Sequence, residues 1–322
     1  MAHPGLVDLA SARVGGKALV ANDEFFAPRG NLLKPGPAVF IEGKYTDRGK
    51  WMDGWESRRK RGPGYDWCII KLGIPGVVRA LTVDTSHFTG NYPESCSVEA
   101  AVIAGNAAPN RVATAGEWRE ILARSPLKGH AQNEFNVPAT DDRFTHLRLN
   151  IYPDGGVARL RVWGEARPDW KRIGAAKKLI DLVAVANGGA PLASSDEFYS
   201  HPINLIMPDR PANMGDGWET RRRRGPGHDW TILRLGHRGV IEQAEIDTTH
   251  FKGNYPDGAS LEGTDGPPDA GAQWQEILPR TKLSANKRHT LRVRARVPVT
   301  HARLNMYPDG GIARLRLFGR LA

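Results

Sequence analysis

Short apolar segments alternate with turn-forming residues along most of the chain. Residues 66–72 (DWCIIKL) are apolar and β-branched between glycines, which is typical of a buried strand. Residues 77–88 partly alternate, with Leu81 and Val83 on one predicted face. Further strands are predicted at 97–103, near 118–122, at 134–137, at 144–152 and at 157–163. Short strands at this spacing, with Gly and Pro turns between them, predict an all-β sandwich or jelly roll.

The chain repeats its own sequence. Residues 53–93 and 216–256 align without a gap at a constant offset of 163, and 25 of the 41 positions are identical. The match resumes downstream, where 146–164 corresponds to 301–319. A period of this length predicts two whole domains, because solenoid units are far shorter.

We therefore expect two tandem, homologous β-sandwich domains, at residues 1–166 and 167–322. The exception to the strand pattern is the segment 166–186, which we interpret as a short, partly helical connector that runs into the second domain. Its apolar residues recur at helical spacing, and the Asn-Gly-Gly sequence at 187–189 is a helix-ending signal. The apolar positions are Ile173, Leu179, Ile180 and Val183.

Composition and charge narrow the class of protein. The 322 residues are enough for two domains with their own cores, and the net charge of +10 favours a polyanion or a small acidic substrate as partner. No apolar run approaches the ~18 residues of a membrane span, and no signal-peptide pattern opens the chain. Cys68 and Cys96 have no counterparts in the second repeat, which argues against a disulfide framework. We expect a cytoplasmic protein with no membrane partner.

Each repeat concentrates arginines and carboxylates just after a DGWE motif. Arginine binds a small carboxylate through two parallel hydrogen bonds. The candidate substrate-binding residues of this run are therefore Arg221, Arg222, Arg58 and Arg59. A basic run is also typical of a solvated face or of a nucleic-acid patch. Acidic residues lie close to this run on both sides and partly neutralise its charge. A surface that binds the phosphates of a nucleic acid would be less neutralised, so we expect no nucleic-acid partner.

The motif DTxHFxGNYP ends the next predicted strand in both repeats. Alternation places Thr248 and His250 on one face, and it brings His250 and Asn254 to the rim of the sandwich, as it does His87 and Asn91. Histidine exchanges protons near neutral pH, but a structural histidine beside a turn fits the same spacing. Neither repeat contains HExxH or CxxC, so we predict no metal site.

The motif YPDGGxARLR closes each repeat. Its PDGG sequence is most simply a hairpin turn, and we favour that interpretation over a catalytic role for Asp154 or Asp309. The motif also supplies Arg159 and Arg314 as candidate substrate-binding residues.

The motifs DGWE[ST]RR, PGxDW, DTxHFxGNYP and YPDGGxARLR, each present twice and in the same order, resemble those of the allantoicase (allantoate amidinohydrolase) family. The resemblance extends from Asp8 to Gly319. It implies two jelly-roll domains of the galactose-binding-like kind. It also implies hydrolysis of allantoate to ureidoglycolate and urea in the degradation of allantoin, a purine product.

The residue roles are our own hypotheses, because the resemblance does not specify them. We expect arginines to anchor the substrate carboxylate, histidines to transfer protons and carboxylates to orient partners or to act as the base. The catalytic candidates are His250, His87, Asp247, Asp84, Glu219, Glu56, Asp229 and Asp66. The substrate-binding candidates are Arg221, Arg222, Arg58, Arg59, His228, Asn254, Asn91, Arg314 and Arg159.

Several alternatives remain open at this level. A non-catalytic, lectin-like module that binds a small ligand would use the same scaffold. Each domain carries a site, or one site draws on both domains or on a subunit contact, and we slightly favour a single site at a junction. No cofactor is predicted, and a homo-oligomer is compatible with the sequence.

Overall fold

The computed structural model describes residues 5–105, 108–115, 117–176 and 178–322. The chain divides into two compact domains, Leu6–Arg167 and Pro168–Ala322. Each is built almost wholly of β-strands, and corresponding strands follow in the same order. The predicted all-β fold with two tandem sandwich domains is therefore confirmed.

The first domain contains one principal sheet, two short strand pairs and very little helix. Its described strands are β1 (Val7–Asp8), β2 (Lys17–Ala21), β3 (Tyr45–Thr46), β4 (Gly49–Lys50), β5 (Trp55–Glu56), β6 (Asp66–Asp84), β7 (Ser95–Ala101), β8 (Arg119–Pro126), β9 (Gln132–Asn136), β10 (Phe144–Tyr152), β11 (Gly156–Val157) and β12 (Arg159–Ala166). Its described helical segments are the 3₁₀ turns Ala12–Val14 and Arg29–Leu33 and the single turn α1 (Pro109–Val112).

The second domain repeats this plan without a counterpart of the β3–β4 pair among its described residues. It opens with helix α2 (Trp170–Ala175). Its described strands are β13 (Ile180–Asp181), β14 (Ala190–Ser194), β15 (Trp218–Glu219), β16 (Asp229–Asp247), β17 (Gly258–Thr264), β18 (Gln275–Lys282), β19 (Arg288–Arg292), β20 (Pro298–Tyr307), β21 (Gly311–Ile312) and β22 (Arg314–Leu321). Its described 3₁₀ turns are Val185–Asn187, Pro202–Ile206 and Met214–Asp216.

One strand of 19 residues, β6, serves both layers of the first sandwich. Its beginning pairs with β2 and β10, and β10 continues to β7 and β8. Its end pairs with β9 and β12, and β12 continues to β1. The strands predicted at 66–72 and 77–88 are therefore one strand. The strand β16 has the corresponding partners in the second domain.

A glycine marks the change of layer in each long strand. A Cβ atom on Gly76 would lie 2.2 Å from the carbonyl oxygen of Glu165, and one on Gly239 would lie 2.6 Å from that of Arg320. The pairing register between β6 and β10 shifts at the same point. Only glycine lets the neighbouring backbone approach this closely. The sequence pattern is interrupted here because the strand bends, although its pairing continues.

The core follows the alternation of the strands. Leu147, Leu149 and Ile151 of β10 are fully buried, and the residues between them point to the opposite face. Full burial of each such aliphatic side chain contributes about 1.5–3 kcal/mol, so this face holds the sandwich layers together.

The connector is less helical than the sequence pattern predicts. Helix α2 ends at Ala175, and Ile180 begins a strand that pairs with β22. Val183 is fully buried in the second domain. Ile180 and Val183 therefore belong to the packing of the second sheet, whereas Leu179 is exposed, so the four apolar residues do not form one face of a helix. In the described parts of the chain, no helix combines the length and apolar character needed to cross a membrane.

A buried histidine predicts how acid affects the first domain. His146 is 3% exposed, and Lys71 stands opposite it in the pairing of β6 with β10. Burial, together with the Lys71 charge, lowers the pKa of His146 to about 4 from its usual 6.5. The unfolded chain therefore binds this proton more readily than the folded chain does. The contribution of neutral His146 to the free energy of unfolding is fully present above pH ~6.5 and is lost as the pH falls toward ~4.

We expect His146→Gln to remove this contribution to acid sensitivity. Between about pH 7.5 and about pH 5, the free energy of unfolding of the unmodified protein should fall by about 1–2 kcal/mol more than that of the variant. Urea unfolding at both pH values measures the difference. Equal losses in the two proteins would show that His146 does not titrate in this range.

Candidate active site

Three loops meet at one end of each sandwich. In the first domain they follow strand β5, strand β6 and strand β10, and the third contains the PDGG turn. The backbone N–H of Gly156 donates to the carbonyl of Asn91 at 2.7 Å, and that of Ser57 donates to the carbonyl of Gly155 at 3.2 Å. The hydroxyl of Ser57 accepts from the N–H of Gly155 at 3.2 Å. These bonds lock the loops into one frame.

The two glycines of the PDGG turn are required by this contact. Gly155 has a φ of 137°, and a Cβ atom there would lie 2.8 Å from the carbonyl oxygen of Asn91. A Cβ atom on Gly156 would lie 1.9 Å from the ring of Phe88. Gly310 and Gly311 are equally confined by Asn254 and Phe251 in the second domain. The turn is therefore part of the packed frame as well as a hairpin connection.

A cavity of about 500 Å³ opens among the three loops of the first domain, and we call it the first loop cleft. Its lining residues are Phe26, Glu56, Ser57, Arg59, Lys60, Gly90, Asn91, Tyr92, Glu94, Pro153, Asp154 and Gly155. A cavity of about 490 Å³ in the second domain is the second loop cleft. Its lining residues are Tyr199, Glu219, Thr220, Arg222, Gly253, Asn254, Tyr255, Asp257, Pro308, Asp309 and Gly310. Apart from Lys60, whose counterpart Arg223 is outside the second lining, the two linings correspond position by position through the sequence repeat.

Three carboxylates line each cleft: Glu56, Glu94 and Asp154 in the first, and Glu219, Asp257 and Asp309 in the second. Two of the three are each fixed by a hydrogen bond from a neighbouring loop. The Asn91 side-chain amide donates to Oε1 of Glu56 at 2.7 Å, and Asn254 donates to Glu219 in the same way. Burial raises the pKa of Glu56, although the bond from Asn91 acts in the opposite direction. A carboxyl group with a raised pKa retains its proton to a higher pH and is suited to act as an acid.

The second carboxylate of each cleft belongs to the PDGG turn. Oδ2 of Asp154 accepts the backbone N–H of Lys60 at 2.7 Å, and Oδ2 of Asp309 accepts that of Arg223 at 2.8 Å. Each aspartate thus ties the turn to the basic run. The Asp154 and Asp309 side chains are partly buried in their clefts. The interpretation of PDGG as a plain turn therefore missed two cleft residues.

Neighbouring arginines of the basic run have different surroundings. Arg58 and Arg221 form ion pairs with Asp23 and Asp196, at 2.7 and 2.9 Å. Arg59 and Arg222 are exposed and line the clefts. Within the described residues, neither of these two guanidinium groups forms a hydrogen bond or an ion pair. Each cleft therefore presents one unpaired arginine beside the two carboxylates that neighbouring loops fix by hydrogen bonds.

Arg159 and Arg314 lie beneath the surface and have no donor to spare. Arg159 is 2% exposed, and its five N–H groups donate to carbonyl oxygens and to Asp53, whose carboxylate lies at 2.6 Å. Burial alone would raise the pKa of Asp53, but the hydrogen bonds from Lys34 and Arg159 outweigh it and lower that pKa. Arg314 is saturated likewise by Asp209 and Asp216 together with backbone carbonyls. Both arginines hold a loop to the sheet, and we assign them no contact with substrate.

The candidate histidines are placed differently from the sequence expectation. Strand β16 ends at Asp247, and His250 has a φ of 72°, so the predicted alternation through Thr248 and His250 was wrong. The corresponding φ of His87 is 71°. Nε2 of His87 lies 3.2 Å from the carbonyl oxygen of Ala38, and Nε2 of His250 lies 2.9 Å from that of Pro211. Each histidine tethers a loop, and neither lines a loop cleft.

Four candidate aspartates also form internal contacts. Asp84 and Asp247 accept the backbone N–H two residues further on and so close the turns after β6 and β16. Asp66 and Asp229 are 1% exposed and pair with the third basic residue of the run. These partners are Lys60 at 2.7 Å for Asp66 and Arg223 for Asp229. The four aspartates shape the frame and lie outside the cleft linings.

His228 lies in a separate cluster on the sheet face. Its Nε2 is 3.2 Å from Oδ1 of Asn305, whose amide donates to Glu262 at 2.7 Å. This cluster lines another cavity, of about 340 Å³, with Arg303 and Tyr307.

Of the candidate residues predicted from the sequence, each loop cleft contains one glutamate, one arginine and one asparagine. The candidates brought together are Glu56, Arg59 and Asn91, and Glu219, Arg222 and Asn254.

Sequence reasoning missed the aromatic walls of the clefts. Phe26 and Tyr199 each precede the residue that bridges to the cleft glutamate, and their side chains line the clefts. Each follows a repeated Asp-Glu-Phe sequence, at 23–25 and 196–198. That repeated motif was the available signal, but nothing in it indicates that the next side chain faces a cavity.

The fold and the clefts define a duplicated β-sandwich protein with one charged loop cleft in each domain. Residues 7–167 and 180–322 match the family model described as "Allantoicase repeat". The chain therefore belongs to the allantoicase family.

Relatives match over the whole length. "Probable allantoicase 1" of Burkholderia mallei is 50% identical and covers 98% of this chain and 94% of its own. "Probable allantoicase" of Pseudomonas syringae pathovar tomato is 48% identical over 98% of this chain and 96% of its own. The crystal structure of allantoicase from Saccharomyces cerevisiae has a TM-score of 0.83 at 34% identity, with 99% of this chain and 94% of that chain covered.

We expect Arg159→Met to destabilise the protein through its fold. The substitution breaks the buried ion pair with Asp53, which keeps only Lys34 and the Val39 N–H, and leaves several carbonyl groups without their donor. Breaking a buried pair typically costs about 3–5 kcal/mol. Chemical unfolding measures the loss. Arg59→Ala, which removes an exposed and unpaired arginine from the same domain, is the control and should change stability by less than about 0.5 kcal/mol. A small loss in the Arg159 variant would contradict its structural role.

Proposed function

We propose that this protein hydrolyses allantoate to ureidoglycolate and urea, and that the reaction takes place in the loop clefts. The observation that carries the proposal is the pairing, in both domains, of an unpartnered arginine with two carboxylates in one cavity. Membership of the allantoicase family supports the same substrate. The cleft volumes lie within the roughly 300–1,000 Å³ of ligand pockets.

The substrate dictates what each cleft must supply. Allantoate carries a carboxylate and two ureido groups on one carbon. Hydrolysis forms a bond from a water oxygen to that carbon and breaks the bond from the carbon to one ureido nitrogen. The leaving nitrogen gains a proton and becomes urea, while the attacking water gives up a proton, so the step needs one acid and one base.

The arginine of each cleft anchors the substrate carboxylate. Arg59 and Arg222 have free donors, and a planar guanidinium matches a carboxylate with two parallel hydrogen bonds. The neighbouring Arg58 and Arg221 are engaged by aspartates and lie outside the cleft linings. Their role is to hold the loop that presents the binding arginine.

Two of the three carboxylates in each cleft share the proton transfers. Glu56 and Glu219 supply the proton to the leaving nitrogen, and Asp154 and Asp309 take the proton from water. The partial burial that raises the pKa of Glu56 supports its assignment as the acid. Asn91 and Asn254 occupy one oxygen of each glutamate and leave the other for the proton. The loop-tethering histidines take no part in this assignment.

Each domain thus carries its own site, in place of the single junction site that the sequence slightly favoured. The lectin-like alternative is not favoured, because family members are named as enzymes. The cytoplasm is the proposed location, since Cys68 and Cys96 are buried free thiols that suit a reducing compartment. No group of three or more potential metal ligands occurs among the described residues, and the proposed steps use side chains alone.

We expect the double variant Arg59→Ala with Arg222→Ala to raise the KM for allantoate by about 10- to 100-fold. This is the cost of losing charge-assisted hydrogen bonds to the carboxylate. Urea release at varied allantoate concentration measures it. The matched control is Arg61→Ala with Arg224→Ala, which removes the same charge from exposed positions outside the cleft linings. An unchanged KM, or an equal rise in the control, would remove these arginines from substrate binding.

Glu56→Gln combined with Glu219→Gln should lower kcat by about 10²- to 10⁴-fold without unfolding the protein, because the acid is lost while the Asn contacts keep an acceptor. In Glu219→Gln, where Glu56 is the remaining acid, kcat should fall as pH rises through the raised pKa of Glu56, since the acid must be protonated. Activity that is insensitive to the double substitution would exclude the glutamates as the acid.

A further inference from the structure

The two loop clefts differ in one surrounding element. Ten additional residues separate Leu33 from Trp55 in the first domain, compared with Ile206 and Trp218 in the second. They include the β3–β4 hairpin, in which Tyr45 pairs with Lys50. Most of the hairpin is exposed, so it adds little to the core of the first domain.

The hairpin packs on the aromatic pair beside the first loop cleft. The guanidinium of Arg48 donates to the carbonyl oxygen of Phe25 at 3.0 Å and lies over the Phe25 ring at 5.2 Å. Arg58 lies over the same ring at 5.3 Å. A Cβ atom on Gly49 would come within 3.9 Å of the ring of Phe26. Phe25 and Phe26 in turn meet edge to face at 5.1 Å.

The second domain has the aromatic pair without this support. Phe198 and Tyr199 are each 62% exposed, whereas Phe25 and Phe26 are 40% and 36% exposed. Only Arg221 lies over Phe198, at 5.0 Å, among the cation–aromatic contacts of the described residues. The difference in exposure is consistent with the contacts that the hairpin supplies.

The supported ring stands next to the proposed acid. The backbone N–H of Phe26 donates to the carbonyl of Glu56 at 3.2 Å, and both side chains line the first loop cleft. The other charged side chains of that lining are Arg59, Lys60, Glu94 and Asp154. Burial raises the pKa of Glu56, and the Phe26 ring lines the same cleft as this carboxyl group.

We propose that the β3–β4 hairpin makes the two sites unequal: it holds Phe26 as a fixed wall for a planar ureido group, and the first loop cleft is the more efficient site. This inference rests on the proposed function. A wall that is already ordered avoids the conformational cost that a mobile aromatic side chain incurs when substrate binds. Arg48 is a positioning residue, because it acts through Phe25 and Phe26 and does not reach the reacting atoms.

The test uses proteins with one working cleft. Arg222→Ala leaves the first loop cleft and Arg59→Ala leaves the second. We expect kcat/KM for allantoate to be roughly 2- to 12-fold higher in Arg222→Ala, which corresponds to the cost of ordering one side chain. Adding Arg48→Ala should remove that advantage, mainly through KM, and should leave the Arg59→Ala protein unchanged.

A hairpin control separates positioning from general destabilisation. Asp47→Ala changes the neighbouring exposed residue of the same turn and should have no effect in the Arg222→Ala protein. Phe26→Leu in that protein removes the wall itself and should reproduce the loss caused by Arg48→Ala, even if the Arg48 variant folds poorly. Arg48→Ala should also lower the pH at which kcat declines, because Glu56 becomes better solvated.

The possible outcomes test the inequality of the two clefts separately from the proposed function of the clefts. Equal kcat/KM in the two single-cleft proteins, or no effect of Arg48→Ala and Phe26→Leu on the first cleft, would overturn the inequality and leave the proposed function intact. Full activity in both single-cleft proteins and in the Arg59→Ala, Arg222→Ala double variant would overturn the clefts themselves. A loss caused equally by Asp47→Ala would show that the hairpin acts through stability alone.

Discussion

The long central strand is the constraint on which each domain depends. Because β6 pairs with neighbours in both layers, its two ends are fixed relative to the whole sandwich. Asp84 ends that strand and closes the turn that follows it. The loop after the turn places Asn91 against the PDGG turn. The position of the cleft therefore follows from where one strand ends, and the duplication in the second domain reproduces it.

The alternation of apolar and polar residues predicted the β-sandwich fold, but it did not predict that β6 is one continuous strand. Leu147, Leu149 and Ile151 alternate and are buried as a strand pattern predicts, because their environment is set by local period. The interruption at Gly76 was taken for a gap between strands, since a sequence cannot show that a neighbouring backbone occupies the place of a side chain. The connector was overestimated as a helix for a related reason. Ile180 belongs to a strand that pairs with β22, which is remote in sequence.

Adjacent residues of the basic run show why the site was only partly predictable. Arg58 and Arg59 have the same chemistry, yet Asp23 takes the first and leaves the second in the cleft. Which of the two arginines is paired depends on Asp23, which lies 35 positions before Arg58 in the chain. Composition and spacing therefore could not predict which arginine lies unpaired in the cleft. The sequence motifs drew attention to Glu56 and Asn91, and the structure brings these two side chains together because their loops meet. The same reasoning misplaced His87, whose left-handed backbone ends the alternation on which its expected position relied.

The packing of the PDGG turn also limits how the clefts can work. The backbone of Gly156 rests on the ring of Phe88, which is 1% exposed, so the floor of the first cleft is continuous with the hydrophobic core. Opening the cleft at this point would break close-packed contacts of the core, which would cost free energy of folding. The PDGG turn is therefore unsuited to act as a hinge. When a ligand enters the cleft, we expect the rim side chains to rotate, in picoseconds to nanoseconds, while this turn keeps its position.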